Sequence, residues 1–233
     1  MSLRICAVVR GASAGALDAL EHQTTRPDGV RVVAGSWNEA ARAGQAEGAE
    51  WLWLLDGAVR PEPEALERML AALGNLGDLE APALVCSRVL ARDGRLHPAH
   101  EPWIPLLDRA VVIEAARRHL TSLRLARWGS LLVSRAAIDE HGPPRADFAG
   151  GADDLEWTSR LLKEGEGHGY LVPESVALST RPPHRPFSGS EARNRARMVR
   201  GGAWIAQESV WFAFMLALDA AGALARRMSG GGG

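Results

Sequence analysis

The chain has little of what marks several common protein classes. It carries no surplus of charge: 27 basic and 28 acidic residues leave a formal net charge of −1 over 233 residues. That balance gives no whole-protein electrostatic pull on nucleic acid, and no nucleic-acid partner is expected. Lysine is nearly absent, Lys163 being the only one. This bias toward arginine reads as high-GC coding rather than as function. Cysteine is scarce too: Cys6 and Cys86 sit in the apolar runs "LRICAVV" and "ALVCSRVL". Two buried thiols argue against a disulfide framework and for a reducing compartment, so a cytoplasmic setting is expected. The opening "MSLRICAVVRG" is too short in its apolar part for a secretory signal. No internal repeat and no clear linker is visible. Residues 1–228 are therefore expected to form one domain ahead of a flexible glycine tail at 229–233.

One long apolar run is present, "SVWFAFMLALDAAGALA" from Ser209 to Ala225. A spanning helix wants about 20 apolar residues. This one is shorter and is broken by Asp219 and Gly222, so it reads as a packed or interfacial helix. With Arg226 and Arg227 behind it, the helix could lie on the inner face of a membrane as a peripheral anchor, or form a homo-oligomer interface.

The rest alternates short apolar runs with amphipathic stretches. Leu3–Val9, Gly29–Gly35, "EWLWLLDG" ending at Asp56, and "APALVCSRVL" read as strands. Helices are predicted around Ala14–His22, over "WNEAARAGQAEGA", and over "PEPEALERMLAAL", whose prolines stand at its start. The pattern predicts an α/β fold with a mostly parallel sheet flanked by helices. Further on, His97–Asp108 reads as a loop and "IEAARRHLTSLRLA" as helix. Trp128–Arg135 reads as a strand, "AAIDEHG" as a short helix, and "HGYLV" and "SVALS" as two strands. The Pro-rich "TRPPHRPFSG" is a loop, and the C-terminal end is helical.

Two carboxylate positions stand out. Asp56 ends a strand, where ligands of open parallel sheets bind. It could hold a metal or a ribose hydroxyl, or it could simply cap the next helix. Asp153 and Asp154 stand side by side in "GADDLEWTSRLLKEG", at the start of a helix. One aspartate suffices to answer a helix dipole. A second adjacent charge is unfavourable unless a cation, a hydrogen bond or a proton answers it. The pair either caps the helix or does acid–base chemistry. Glu156, one turn in, is a capping-box partner or a substrate ligand. The "GASAG" loop matches no phosphate-binding fingerprint. His184 is a metal ligand or a solvated loop residue. The arginines of "EARNRARMVRG" read mostly as a solvated helix face.

The order of these pieces carries more than any one of them. From Ala49 to Gly201 the chain resembles the family 2 glycosyltransferases, inverting enzymes of the GT-A fold, in particular bacterial rhamnosyl- and galactofuranosyltransferase-like members. The likeness rests on "GAEWLWLLDGAVRPEPEALERMLAAL", on the segment from "WGSLLVSR" through "GADDLEW" to "SVALS", and on the helix "EARNRARMVRG". It implies a nucleotide-sugar donor and a glycan, lipid-linked sugar or metabolite as acceptor. It implies Asp154 as the general base, with Asp153 orienting the acceptor or helping at a cation. Trp128 and Gly129 would form an acceptor wall, joined by Glu156 and Trp157. Asp56 and His184 would stand on the donor side, with Asp56 the candidate ligand of a divalent cation such as Mg or Mn.

Three departures bear on that picture. The family's Asp-x-Asp is "DGA" here, with Ala58 where the metal ligand should stand. The usual histidine near Ser179 is absent, His184 being the nearest downstream. The usual nucleotide loop is replaced by "AGSWNEA". Three readings follow: a transferase whose leaving group is neutralised by a metal or by arginines, a non-catalytic GT-A scaffold that binds a glycan, nucleotide or partner transferase, and an unrelated hydrolase. The last lacks any water-activating metal cluster or nucleophile elbow.

Overall fold

The computed structural model describes residues 3–11, 14–77, 79–104, 109–148, 151–163, 167–182 and 189–200, with Val210, Ala213 and Ala217 beyond them. The elements run β1 (Ile5–Arg10), α1 (Ala14–Glu21), β2 (Gly29–Val33), α2 (Trp37–Ala46), β3 (Trp51–Asp56), β4 (Val59–Pro61), α3 (Ala65–Gly74) and β5 (Leu84–Leu90). Then come α4 (Arg109–Arg117), β6 (Thr121–Ser122), β7 (Ser130–Ser134), α5 (Arg135–His141), a 3₁₀ turn (Ala146–Phe148), α6 (Asp153–Leu161), β8 (Gly169–Ser179) and α7 (Gly189–Arg200).

All the strands join one sheet in the order β2-β1-β3-β7-β5-β8-β4, with β6 on the side of β8. Strands β2, β1, β3, β5 and β8 point the same way, while β7 and β4 run against their neighbours. The sheet is thus mostly parallel, as the alternating sequence pattern predicts. Side chains alternate across it with the two-residue period of extended chain. Cys6, Val8, Leu52, Leu54, Leu131 and Val133 meet α2, α5 and α6 on one face. Ile5, Ala7, Val9, Trp53, Leu55 and Leu132 meet α1, α3 and α4 on the other. A sheet buried on both faces explains why its strands read as continuous apolar runs.

Several local expectations change. "HGYLV" and "SVALS" are one strand, β8, whose register against β5 jumps so that Ser87 pairs Val172 and Arg88 pairs Val176. Pro173 falls in that bulge, where a missing donor is tolerated. The helix over "IEAARRHLTSLRLA" stops at Arg117, and Thr121–Ser122 pairs with β8 as β6. The prolines before α3 lie outside the helix, Pro61 closing β4 against Ala177. Ser36 caps α2 in a reciprocal capping box with Glu39. Cys6 and Cys86 are buried free thiols. Burial pushes the Cys86 thiol up to about 12, so it stays protonated. No helix among the described residues is long and apolar enough to cross a membrane. The apolar run at 209–225 lies outside them except for three helical residues, of which Val210 is 71% exposed.

The antiparallel β7 matters most for the site. It brings its own beginning, and the preceding Trp128–Gly129, to the carboxyl edge of β3. There the Asp56 N–H donates to the Gly129 carbonyl at 2.9 Å. Gly57 follows just beyond the paired ends of β3 and β1: a Cβ there would stand 2.1 Å from the Gly11 carbonyl oxygen. The glycine of "DGA" is therefore required by backbone packing.

Candidate active site at the carboxyl edge of the sheet

A cavity of about 290 Å³ opens at this edge, lined by Arg10, Trp37, Asp56, His100, Trp128, Asp153, Asp154 and Arg181 among others. A second hollow of about 390 Å³ shares Arg10, Asp56 and Arg181 with it and extends over Gly57, Ala58 and Thr180. Together they form one groove, in which Arg10, Asp56 and Arg181 line both hollows and the Asp153–Asp154 pair only the first.

The carboxylate end is built by α6. Its first turn holds both aspartates, but neither is the N-cap. That place is taken by Ala152, in the left-handed conformation at φ 64°. Asp154 is 6% exposed and firmly held. Its Oδ2 accepts from Arg127 Nε at 2.9 Å and from the Trp128 N–H at 3.3 Å, and its Oδ1 from the Leu155 N–H at 2.8 Å. Arg127 also reaches Glu191 of α7 at 3.8 Å, and Glu191 pairs with Arg195 at 2.7 Å. Asp153 instead faces Trp128 and Arg10. Burial and the neighbouring Asp154 charge push its carboxyl up to about 6, against the pull of Trp128 and Arg10. The Trp128 indole N–H, buried beside it, closes to no hydrogen bond of ordinary geometry.

Helix α6 is pinned at several points. Thr158 Oγ donates to the carbonyl of Asp154 at 2.8 Å or of Ala126 at 3.0 Å, and accepts the Ala126 N–H. Arg124 donates to the carbonyls of Ser159 and Leu162, the last turn of the helix. Asn194 of α7 donates to the carbonyls of Phe148 and Gly151 at 3.0 and 2.8 Å, fixing the chain that leads into the aspartates. The "EARNRARMVRG" helix is thus more than a solvated face. Arg195 is buried on Glu191, and Arg197 binds Asp147 at 2.6 Å while covering the Phe148 ring.

At the other end, Asp56 is 4% exposed and holds an arginine. Arg181 Nη2 lies 2.9 and 2.7 Å from its two oxygens, and the Ala58 N–H donates to Oδ1 at 2.9 Å. Arg10, the register partner of Asp56 on β1, donates Nε–H to the Gly35 carbonyl at 3.0 Å and lies over the Trp37 ring. Trp37 stacks on Trp128 with ring centroids 4.1 Å apart, and Trp128 on Trp157 at 5.4 Å.

A polar relay joins the two ends. The Trp128 carbonyl can only accept, so His100 carries its proton on Nδ1 and donates there. His100 Nε2 then accepts from Ser179 Oγ at 3.2 Å, and Ser179 Oγ accepts the Arg181 N–H at 3.3 Å. Burial takes the His100 ring down to about 4, which keeps this neutral tautomer at ordinary pH. Gly129 packs closely here: a Cβ would stand 3.2 Å from His100 Nδ1 and 3.0 Å from Val89.

The groove brings together four of the eight residues expected from sequence, Asp56, Trp128, Asp153 and Asp154, and Gly129 supports them from behind through its carbonyl, which accepts the Asp56 N–H. Glu156 and Trp157 point elsewhere, because the period of α6 turns them into the protein. Glu156 pairs with Arg160 at 2.7 Å, and Arg160 also holds the Pro143 carbonyl. The Trp157 indole is fully buried and donates to the Gly142 carbonyl at 2.9 Å. Neither forms part of an acceptor wall in this arrangement. His184 lies outside the described residues. Sequence reading missed Arg10, His100, Arg127, Arg181 and Asn194, each brought in by a contact distant along the chain.

No family model matches this chain, and no curated protein does. Solved structures do. GalNAc-T7 with UDP, GalNAc and Mn2+ superposes at a TM-score of 0.58 and 12% identity, over 85% of this chain and 48% of that one. S. aureus TarS 1–349 in complex with UDP matches at 0.58 and 9% identity, over 90% of this chain and 69% of that one. This is the GT-A fold. A197 from STIV aligns at 0.50 and 12% identity, over 78% of this chain and 87% of that one. The GT-A chain thus spans about half the length of GalNAc-T7.

The described residues at this edge do not suit a divalent cation. Both oxygens of Asp56 face Arg181, and Ala58 offers no side-chain donor. Among the described residues no group of three or more His, Cys, Asp or Glu is placed to hold a metal ion.

Proposed function

We propose that the chain is an inverting glycosyltransferase that moves a sugar from a nucleotide-sugar donor to an acceptor hydroxyl. The observation that carries this reading is the composition of the groove: the Asp153–Asp154 carboxylate pair in one cavity with the guanidinium groups of Arg10 and Arg181. A glycosyl transfer of this kind needs both. A carboxylate takes the acceptor's proton as its oxygen attacks the anomeric carbon. The bond from that carbon to the diphosphate breaks on the opposite face, and cations receive the departing negative charge. The GT-A fold, and solved neighbours bound to UDP, support the choice of donor class.

Within the pair we assign the proton to Asp153 and orientation to Asp154. The family resemblance marks Asp154 as the base. Its oxygens, however, serve Arg127 and two backbone N–H groups, whereas Asp153 faces the groove near the operating range of a base. Trp128 and Gly129 then form the wall between acceptor and donor. The acceptor is a cell-envelope glycan, a lipid-linked sugar or a metabolite hydroxyl.

The test is a transfer assay over a panel of nucleotide-sugars and hydroxyl acceptors, followed by mass spectrometry. A mass gain of one glycosyl unit that disappears in Asp153→Asn is expected. Donor binding with no transfer to any acceptor would favour the alternative of a non-catalytic GT-A scaffold, for which the occupied Asp56 speaks.

A further inference from the structure

We infer that Arg181 takes the place of a divalent cation, so that this chain binds a nucleoside diphosphate without metal. The inference rests on the transferase reading and adds how its donor site is charged. Three observations carry it. First, Asp56, the one acidic residue of "DGA", is committed to Arg181 through contacts of 2.9 and 2.7 Å. A metal could use that carboxylate only by displacing a guanidinium held at both oxygens. Second, Ala58 has a different task. Its carbonyl accepts from the Thr180 N–H at 2.8 Å and from Thr180 Oγ at 2.9 Å, extending the β4–β8 pairing by one residue. The backbone at the lost metal-ligand position thereby places the residue before Arg181.

Third, Arg181 is fixed through its own main chain as well. Its N–H donates to Ser179 Oγ, and its carbonyl accepts from Nε2 of the buried His97 at 3.2 Å. A long cation usually loses much rotamer freedom on binding an anion. Here Asp56 and the clamped main chain restrict that freedom beforehand. The side chain remains 39% exposed, facing the hollow it shares with Arg10. Two guanidinium groups against one carboxylate leave one positive charge, as a divalent cation on a single carboxylate would. A guanidinium also offers directed donors that match phosphate oxygens. The "DGA" departure and the arginine of "TRPP" are on this account one compensated change.

The test is calorimetric titration of the whole chain with UDP, GDP and dTDP, each in EDTA and in Mn2+. For at least one nucleotide, equal affinity in the two buffers is expected. For that nucleotide Arg181→Ala should weaken binding in EDTA by at least about tenfold, and Arg181→Lys should weaken it less. Thermal melts of both variants check that the fold is intact, and Arg181→Gln serves as a further neutral replacement. Binding that appears only with Mn2+, or wild-type affinity in folded Arg181→Ala and Arg181→Gln, overturns the inference while leaving the donor class standing. Absence of binding for all three nucleotides in both buffers removes the transferase reading and this inference with it.

Discussion

Arg127 Nε sits 2.9 Å from Asp154 Oδ2 while its Nη2 lies 3.8 Å from Glu191, so one half-buried guanidinium ties the first turn of α6 to α7. This relation separates two aspartates that are neighbours in sequence. Asp154 answers a fixed cation, and Asp153 is left to face the groove.

Substituting the pair one at a time should therefore give different outcomes. Asp153→Asn should fold normally and lose about 10²–10⁴ in kcat, the usual contribution of a positioned base. Asp154→Asn should lose activity and also about 1–3 kcal/mol of stability, because the Arg127 guanidinium loses the carboxylate it meets at 2.9 Å. Urea unfolding beside kinetics distinguishes them. The opposite pattern, with Asp153→Asn active and Asp154→Asn inert but stable, would return the base to Asp154.

The pH dependence has a defined sense. Asp153 must be ionised to accept a proton, so kcat/KM should fall about tenfold per pH unit below about 6. Stability moves the other way. The folded state binds this proton more tightly, near 6 against an ordinary 3.8, so the contribution present at low pH is lost as pH rises from 3.8 through about 6. Asp153→Asn should abolish the acidic limb and raise stability at pH 8 by about 1 kcal/mol, discounted for partial exposure. Rate profiles and melts at pH 5 and 8 measure both.

His100 adds a second limb of the opposite kind. Its ring is held neutral, near 4 against an ordinary 6.5, so stability should be lost as pH falls from 6.5 through 4, by up to roughly 3 kcal/mol. His100→Gln, which cannot charge, should flatten that part of the stability curve.

Much of the scaffold was legible because a sheet covered on both faces writes itself as apolar runs. "LRICAVV", "EWLWLLDG" and "ALVCSRVL" all became central strands. The three-residue β4 and two-residue β6 were not legible, being too short for any periodicity and fixed only by pairing with β8. The groove was legible in its carboxylates, Asp56 and the Asp pair, whose placement at strand and helix ends has a local signature. Its cations were not. Arg181 meets Asp56 across 125 residues and Arg127 meets Asp154 across 27, and nothing local distinguishes these arginines from the others of an arginine-rich chain. Glu156 and Trp157 misled because adjacency to the Asp pair in sequence is not adjacency on a helix face.

Two backbone positions give tests independent of titration. Gly57→Ala would force its Cβ against the Gly11 carbonyl at 2.1 Å, separating β1 from β3 where Arg10 and Asp56 pair. A loss of roughly 1–3 kcal/mol is expected, with weaker nucleotide binding. Asn194→Ala should leave the Phe148 and Gly151 carbonyls without their donor. It should cut kcat more than donor affinity, since it loosens the aspartate end of the groove only. Chemical denaturation and calorimetry read the two effects.

The most direct test of the account is a proton NMR time course of transfer from an α-linked nucleotide-sugar, reading the anomeric coupling of the first product formed. The account predicts a β-linked product, formed by a single displacement and lost in Asp153→Asn. An α-linked first product, or consumption of the donor by water alone, would contradict it.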